Sequence, residues 1–499
     1  MIIGFLPLDT RPCTYDLPVQ LARQAGATVR LPPQGMMRHY KTGSDTRALS
    51  RWLEETAPKC DAFVISVEQL LYGGLIQSRQ ALVEPDLLME RLQVLRRVRE
   101  KTPRLAIYLA NVLMRTSIST LDSETLVWWE KVNRYSTLYY REKAHNDSGA
   151  ARQCRQLEGE IPAKILQTFF AARRCSHEVN RACIRLVAEG VAENLLVLQE
   201  DCAPEGVQRF EREILTNDIE TLGLTDKVHM FNGTDEAGAQ LLQKAINPEG
   251  CGLKVIWLGK QTDFTASYED RPFRENLAGH LRSLAMREEN GAQCVLFILV
   301  PRYQQREASQ PCDDPTHEYS ADDLRKFSRV ISTYSRKGRH CYLLDLDYAN
   351  GGNVKFLEIL SRTLPIQSLW GYAAWNTASN ALGTLLAQIL ASQAGNGQLN
   401  RAFTSERVLD DAIYQAIVRQ TAAERLKARG EDIYNIKDSV RAEHDLQEAF
   451  EGLRPLMDAI FNGEVPAFEA KLRWPRLFEA AIFTQSGGGP VFVPDTKNV

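Results

Sequence analysis

The chain has 499 residues, of which 44% are apolar and 25% charged, with a formal net charge of −3. That length exceeds one ordinary core and predicts two or three domains of a soluble globular protein. The near-neutral balance gives no reason to expect nucleic acid or an anionic membrane as partner, so a small-molecule substrate is the expected one.

The first run, IIGFLPL, reads as a buried strand and not as an export signal. It lacks a basic leader and meets Asp9 and Arg11 where a cleavage site would lie. The ten cysteines form no CxxC pair, and Cys60, Cys294 and Cys341 precede or begin strand-like runs, as in reduced thiols of a cytoplasmic protein. No stretch is apolar for long enough to span a bilayer.

Short runs rich in Val, Ile and Leu alternate with amphipathic stretches of helical length, the pattern of βα units and parallel sheets. The first series predicts strands near 2–7, 28–32, 62–67, 105–111, 194–199 and 228–231, with helices near 45–57, 86–101, 178–190, 206–222 and 236–246. A helical insertion is expected between about Ser119 and Arg174. The second series predicts strands near 253–258, 293–299, 340–346 and 368–373, with helices near 272–289, 321–336, 353–363 and 378–393. From Ser405 to Phe461 the pattern is helical, and the chain ends in Gly487-Gly488-Gly489-Pro490 and the strand-like VFV. The fold class is therefore α/β. It reads as two Rossmann-like three-layer lobes (1–250 and 251–395) followed by a mainly helical region (396–499), with an elaborated (β/α)8-type barrel as the alternative.

Polar signatures recur at the ends of these strands, where α/β proteins bind ligands. Asp9-Thr10-Arg11-Pro12 follows the first strand; Asp9 suits a substrate hydroxyl and Arg11 an anion or carboxylate, unless they form a capped turn and pair with each other. Glu68 and the string Tyr72-Gly73-Gly74 follow the third, with Ser78-Arg79 close behind; the two glycines permit close backbone approach or a tight turn. Arg115 ends the fourth. Glu200-Asp201 and Asp235-Glu236 are paired acids, suited to acid–base work or cation binding, or to helix capping. Asp345 and Asp347 share one face of their strand and lead to Asn350 and Gly351-Gly352, a set that suits Mg²⁺, Ca²⁺ or sugar hydroxyls. Trp375-Asn376 offers a stacking indole and a paired hydrogen-bonding amide, with N-capping as the plainer role for the segment. His177 and Asn180, three apart on a helix, could face one site. HExxH, GxSxG, GxGxxG and GxxxxGK[ST] are absent.

Taken together, the strings PLDTRPCTYDLP, YGGLIQSR, NVLMRT, QEDCAPEG, NGTDEAG, LDLDYANGG, GYAAWNTASNALGT, FTSERVLDDAIYQAIVRQ and LRWPRLFEAAIF resemble the bacterial family known as domain of unknown function 4127, over nearly the whole chain. Members of that family often carry Asp-Asp where this chain has Glu200-Asp201, and Asp where it has Glu68; both departures keep a carboxylate. The resemblance implies membership and no particular chemistry.

The residues themselves point to a hydrolase of small carbohydrate-like substrates that uses two carboxylates. Asp201 with Asp345 or Asp347 would be catalytic. Arg11, Arg79 and Asn376 would orient the substrate, Trp375 would stack on it, and Asp9, Glu68, Gly73, Gly74, Arg115, Glu200, Asp235, Glu236 and Asn350 would complete the binding set. An alternative is a divalent-cation enzyme that holds Mg²⁺ or Mn²⁺ with the same acids, and a third is a two-lobed protein that closes on a sugar-like ligand without turnover. A single site requires Asp9, Arg79, Asp201, Asp345 and Asn376 to line one cleft.

Overall fold

A computed structural model describes residues 1–38, 40–310, 312, 314–489 and 491. It is an α/β structure built on two parallel sheets. In chain order the strands are β1 (Ile2–Leu6), β2 (Thr28–Arg30), β3 (Ala62–Ser66), β4 (Ala106–Leu113), β5 (Asn194–Gln199), β6 (Val228–Asn232), β7 (Gly252–Leu258), β8 (Arg287–Glu288), β9 (Cys294–Leu299), β10 (Arg306–Glu307), β11 (His340–Asp345), β12 (Tyr348–Ala349), β13 (Gly371–Ala373), β14 (Phe468–Lys471) and β15 (Ala481–Thr484). The first sheet runs β2-β1-β3-β4-β5-β6 and the second β13-β11-β9-β7-β8. Renumbered within its own sheet, the second has the order 5-4-3-1-2, so both lobes share the doubly wound order 2-1-3-4-5. That order places a topological switch point between the first and third strands.

The central strands are apolar on both faces because helices cover both, and the two-residue period sorts their side chains between two cores. In the first sheet Phe63, Ile65, Ile107, Leu109, Leu195 and Val197 pack with Leu49, Leu92 and Ile184 of the helices on one side. Their neighbours Ala62, Val64, Leu196 and Leu198 pack with Val19, Leu241 and Leu242 on the other. Gly4 of β1 is small so that the Phe63 ring can lie across it; a Cβ there would sit 1.9 Å from Phe63 Cε1. The second sheet divides in the same way. Val295, Phe297 and Leu343 face one core, and Leu296, Ile298, Tyr342 and Leu344 the other.

The expected insertion folds as three helices, Ser123–His145, Ser148–Glu160 and Ala163–Ala188. After the helix Ala378–Ser392 the chain is helical from Gly397 to Ala428, and its middle turns, Val408–Val418, widen to π geometry. The helices Ser439–Gly452 and Arg454–Ile460 follow, and β14 and β15 pair as an antiparallel hairpin. One expectation is corrected here. The helix expected over 272–289 stops at Ser283, and Arg287–Glu288 joins the sheet as β8. Gly73 and Gly74 form a tight turn between the short helices Val67–Tyr72 and Leu75–Ser78. Of the C-terminal GGGP-VFV string, Pro490 and the last two residues of VFV lie outside the described residues. Among the described residues no helix is long and apolar enough to cross a membrane.

Candidate functional site

A cavity of about 320 Å³ lies over the carboxyl ends of the first sheet's strands. That volume is in the range of small-molecule sites. Arg11 comes from the end of β1, Arg79 from the segment after β3, Arg115 from the end of β4, Glu200 and Asp201 from β5, and Asp235 from β6. The second lobe contributes Tyr268, Asn350, Asn376 and Asn380, and the C-terminal region Tyr434, Trp474, Arg476 and Phe478.

Charges meet here in two groups. In the first, Arg11 makes a forked contact with Asp235, Nη2 to Oδ1 at 2.6 Å and Nη1 to Oδ2 at 3.0 Å. Its Nε donates to Asp9 Oδ2 at 2.9 Å. Asp9 also accepts from the Arg11 amide and from Thr14 Oγ1, so it folds the turn that aims Arg11. Glu479 lies behind, 3.4 Å from Arg11 Nη1, and also pairs with Arg476. Burial pulls the Arg11 pKa down, but Asp235 and Asp9 outweigh it and the guanidinium stays firmly charged. Burial pushes Asp235 up, against the pull of Arg11.

In the second group Arg79 pairs with Glu200 and donates Nη1 to Ser119 Oγ at 2.8 Å. Arg115 pairs with Asp201, and its amide donates to Glu200 Oε2 at 3.2 Å. Burial, with Arg115 nearby, drives the Arg79 pKa well below that of an ordinary guanidinium. The Asp201 side chain is 29% exposed, against 4% for Glu200. Asp201 is thus the more open acid of this pair.

The opposite wall is aromatic. Trp474 Nε1 donates to Thr10 Oγ1 at 2.9 Å, which fixes the indole over the DTR turn. Arg476 lies 4.8 Å above the Trp474 ring, close enough for a cation–π contact. Three residues of the second lobe's wall are held in strained backbone: Tyr268, Asn350 and Asn376 have φ of +66°, +54° and +68°. Asparagine tolerates the left-handed region better than most residues, but tyrosine does not, and such strain gathers at functional sites. Asn350 N–H donates to the Asn376 carbonyl at 3.0 Å, and Asn376 Nδ2 reaches Asp235 Oδ2 at 3.4 Å across the lobes.

Of the residues expected to share one cleft, Arg11, Arg79, Arg115, Glu200, Asp201, Asp235, Asn350 and Asn376 face the cavity, and Asp9 supports Arg11 from behind. The others lie elsewhere. Gly73, at φ +88°, closes one short helix and Gly74 opens the next; their turn packs on Ser44 and presents Leu75, Ile76 and Arg79 to the cavity. Glu68 is buried beneath the cavity, and accepts from Val112 N–H at 2.7 Å. Glu236 accepts from Thr234 N–H at 2.8 Å and caps its own turn. The geometric expectation for Asp345 and Asp347 is corrected. Asp345 accepts from the amides of Asn353 and Asp347 and from Tyr372 Oη, and Asp347 from Asn353 Nδ2; both are buried off the cavity wall. Trp375 is also off that wall, packed with Leu17, Phe403 and Phe478 in a core shared between the lobes, and the indoles that line the cavity are Trp129 and Trp474. His177 opens onto a surface groove while Asn180 donates to the Val112 carbonyl, so they share no site. Among the described residues no group of three or more His, Cys, Asp or Glu is placed to hold a metal ion.

The strand-end pattern missed Asn380, Tyr268, Tyr434, Trp474 and Arg476. Asn380 Oδ1 accepts from the amides of Thr234 and Asp235 and so orients the Asp235 turn. The family comparison matches the full span of these elements. A model of a family described as a protein of unknown function, DUF4127, covers residues 3–483. The chain belongs to DUF4127. A search of curated proteins found no match to it. In this DUF4127 chain the matched span takes in every residue of the cavity, including Trp474 and Arg476 near its end.

Proposed function

We propose that this protein is a hydrolase acting on a small polyhydroxylated, carbohydrate-like ligand held in the inter-lobe cavity. The observation that carries the reading is the composition of one ligand-sized wall. Acids from two neighbouring strand ends, Asp201 and Asp235, face the same space as amides from the second lobe and aromatic rings from the C-terminal region. Hydroxyl groups suit paired donors and acceptors such as Asn376 and Asn380, and the apolar face of a sugar ring suits Trp474 or Phe478.

Asp235, whose pKa burial raises, is the proton-carrying carboxyl, and Asp201, more open and steadied by Arg115, is the base or nucleophile. Arg79 and Arg115 hold Glu200 and Asp201 apart and in place. Asp345 and Asp347 have no part in this scheme, because their oxygens face buried amides. A thermal-shift screen of sugars and sugar acids in EDTA, repeated with Mg²⁺ and Mn²⁺, tests the ligand class, since a ligand of the native state raises its apparent stability. A sugar should stabilise the protein without added metal. Asp201→Asn should keep that shift and lose hydrolysis of the same compound by about 10²-fold or more. Stabilisation by divalent cations alone would overturn the reading.

A further inference from the structure

We propose that Glu68 is a proton store for the cavity site and exchanges its proton with Asp235 through one water molecule held in a small pocket that both residues line. This rests on the reading of Asp235 as the proton-carrying carboxyl. Glu68 follows β3 directly, and β1 and β3 flank the switch point of the first sheet. Between the ends of β1, β3 and β4 lies a second cavity of about 20 Å³, room for one water. Glu68, Ser66, Thr14, Asn111 and Asp235 supply polar groups to its wall. Thr234 and Asp235 also face the large cavity, so these two residues form the partition between the two spaces.

At the inner end, Glu68 is 3% exposed and accepts from Val112 N–H at 2.7 Å and Ser66 Oγ at 3.2 Å. Those two donors and Arg79 favour its charged form, yet burial prevails and holds the carboxyl at about 7. Arg79 is itself engaged by Glu200 and Ser119. The other titratable groups that feel Glu68, Tyr72 and Cys183, are pushed upward by burial and stay neutral. At the outer end, three carboxylates (Asp9, Asp235 and Glu479) surround two guanidiniums, those of Arg11 and Arg476. The cluster therefore carries one negative charge in excess, and burial pushes the Asp235 carboxylate towards taking up a proton against the pull of Arg11.

The transfer balances without any co-reactant. The Glu68 hydroxyl gives its proton to the water, the water gives one of its own to an Asp235 oxygen, and Glu68 is left as the carboxylate. When a ligand fills the large cavity, this inner route can reload Asp235 without admitting bulk water to the Arg11 cluster.

Infrared difference titration of the ligand-free protein tests the coupling. The wild-type minus Glu68→Gln spectrum should show one protonated carboxyl that ionises near neutral pH. In an Asp235→Asn background the same difference should move to lower pH, because the facing negative charge is gone. An unmoved midpoint, or no Glu68 band, would overturn the proposal. A high-resolution crystal structure of the wild-type chain reads the relay even if a variant misfolds: ordered water within hydrogen-bond reach of both carboxyls supports it, and a pocket without that water overturns it. Neither readout needs a substrate, so a failed sugar screen would leave them standing, and a missing coupling would leave the ligand class intact.

Discussion

The two lobes have the same strand order and the same habit of ending strands in acids, yet their carboxyl edges differ. Over the first sheet, Arg11, Arg115, Asp201 and Asp235 face open space. Over the second, the corresponding edge is closed by the π-helical turns at Val408–Val418. Asp411 accepts from the amides of Ala374 and Trp375 at 2.9 and 3.2 Å, its carbonyl accepts from Gly352 N–H, and its carboxylate pairs with Arg407 at 2.9 Å. An acid at a strand end is therefore a ligand group or a structural one according to what covers it. The covered edge still serves the open one, because Asp411 fixes the segments that carry Asn350 and Asn376 into the cavity.

The largest effect should come from breaking the closed edge. Asp411→Ala removes one partner of a fully buried ion pair and leaves two amides unsatisfied, a loss of about 3–5 kcal/mol in folding free energy. Chemical denaturation would measure it, and a loss under about 1 kcal/mol would mean that water replaces the carboxylate.

The second contrast is in pH. Burial lifts Asp345 to about 6 and Asp347 to about 7 in the folded state. Both values exceed those of the unfolded chain, so the native state binds more protons between about pH 4 and 7. Their contribution is therefore fully favourable at low pH and is lost as pH rises to 7, then stays level. Denaturant midpoints at pH 5 and pH 8 should show the protein less stable at the higher value, and Asp347→Asn should shrink that difference. An unchanged difference would place the titrating groups elsewhere.

The sheets were legible because their residues follow a simple rule. Runs such as NLLVLQ and HCYLLDL carry no polar face, which only strands covered on both sides can tolerate. The strand-end positions of Arg11, Asp201 and Asp235 were legible for the same reason. What could not be read was coverage. LDLDYANGG and QEDCAPEG have the same signature, and only the amides of Asp347 and Asn353 and the hydroxyl of Tyr372, which take up the Asp345 oxygens, separate it from Asp201. Trp375 lies in a core and Trp474 at the cavity, which could not be read because a core indole and a cavity indole look alike along the chain. β8, of two residues, was hidden in an amphipathic run, and β10 and β12 are too short to have a period.

Gly73→Ala separates architecture from ligand contact at the open edge. An alanine there would hold φ +88° and bring its Cβ to 2.7 Å from the Ser44 backbone, which costs about 1–3 kcal/mol. If the turn only aims Arg79, a bound sugar should still stabilise the variant by the same increment. A selective loss of that increment would show that the glycine backbone touches the ligand.

The smallest effect should come from the open counterpart of Asp411. Asp201 and Arg115 form the same kind of pair as Asp411 and Arg407, but at 29% and 17% side-chain exposure instead of 3% for both. Water can solvate either partner once the other is gone, so Asp201→Asn should lower stability by only about 0–1 kcal/mol. A loss near that of Asp411→Ala would mean that Asp201 is held as tightly as the buried acid, and its role as the reactive carboxylate would then have to pass to another group. A small loss with ligand binding kept is the behaviour expected of an acid placed for chemistry and not for folding.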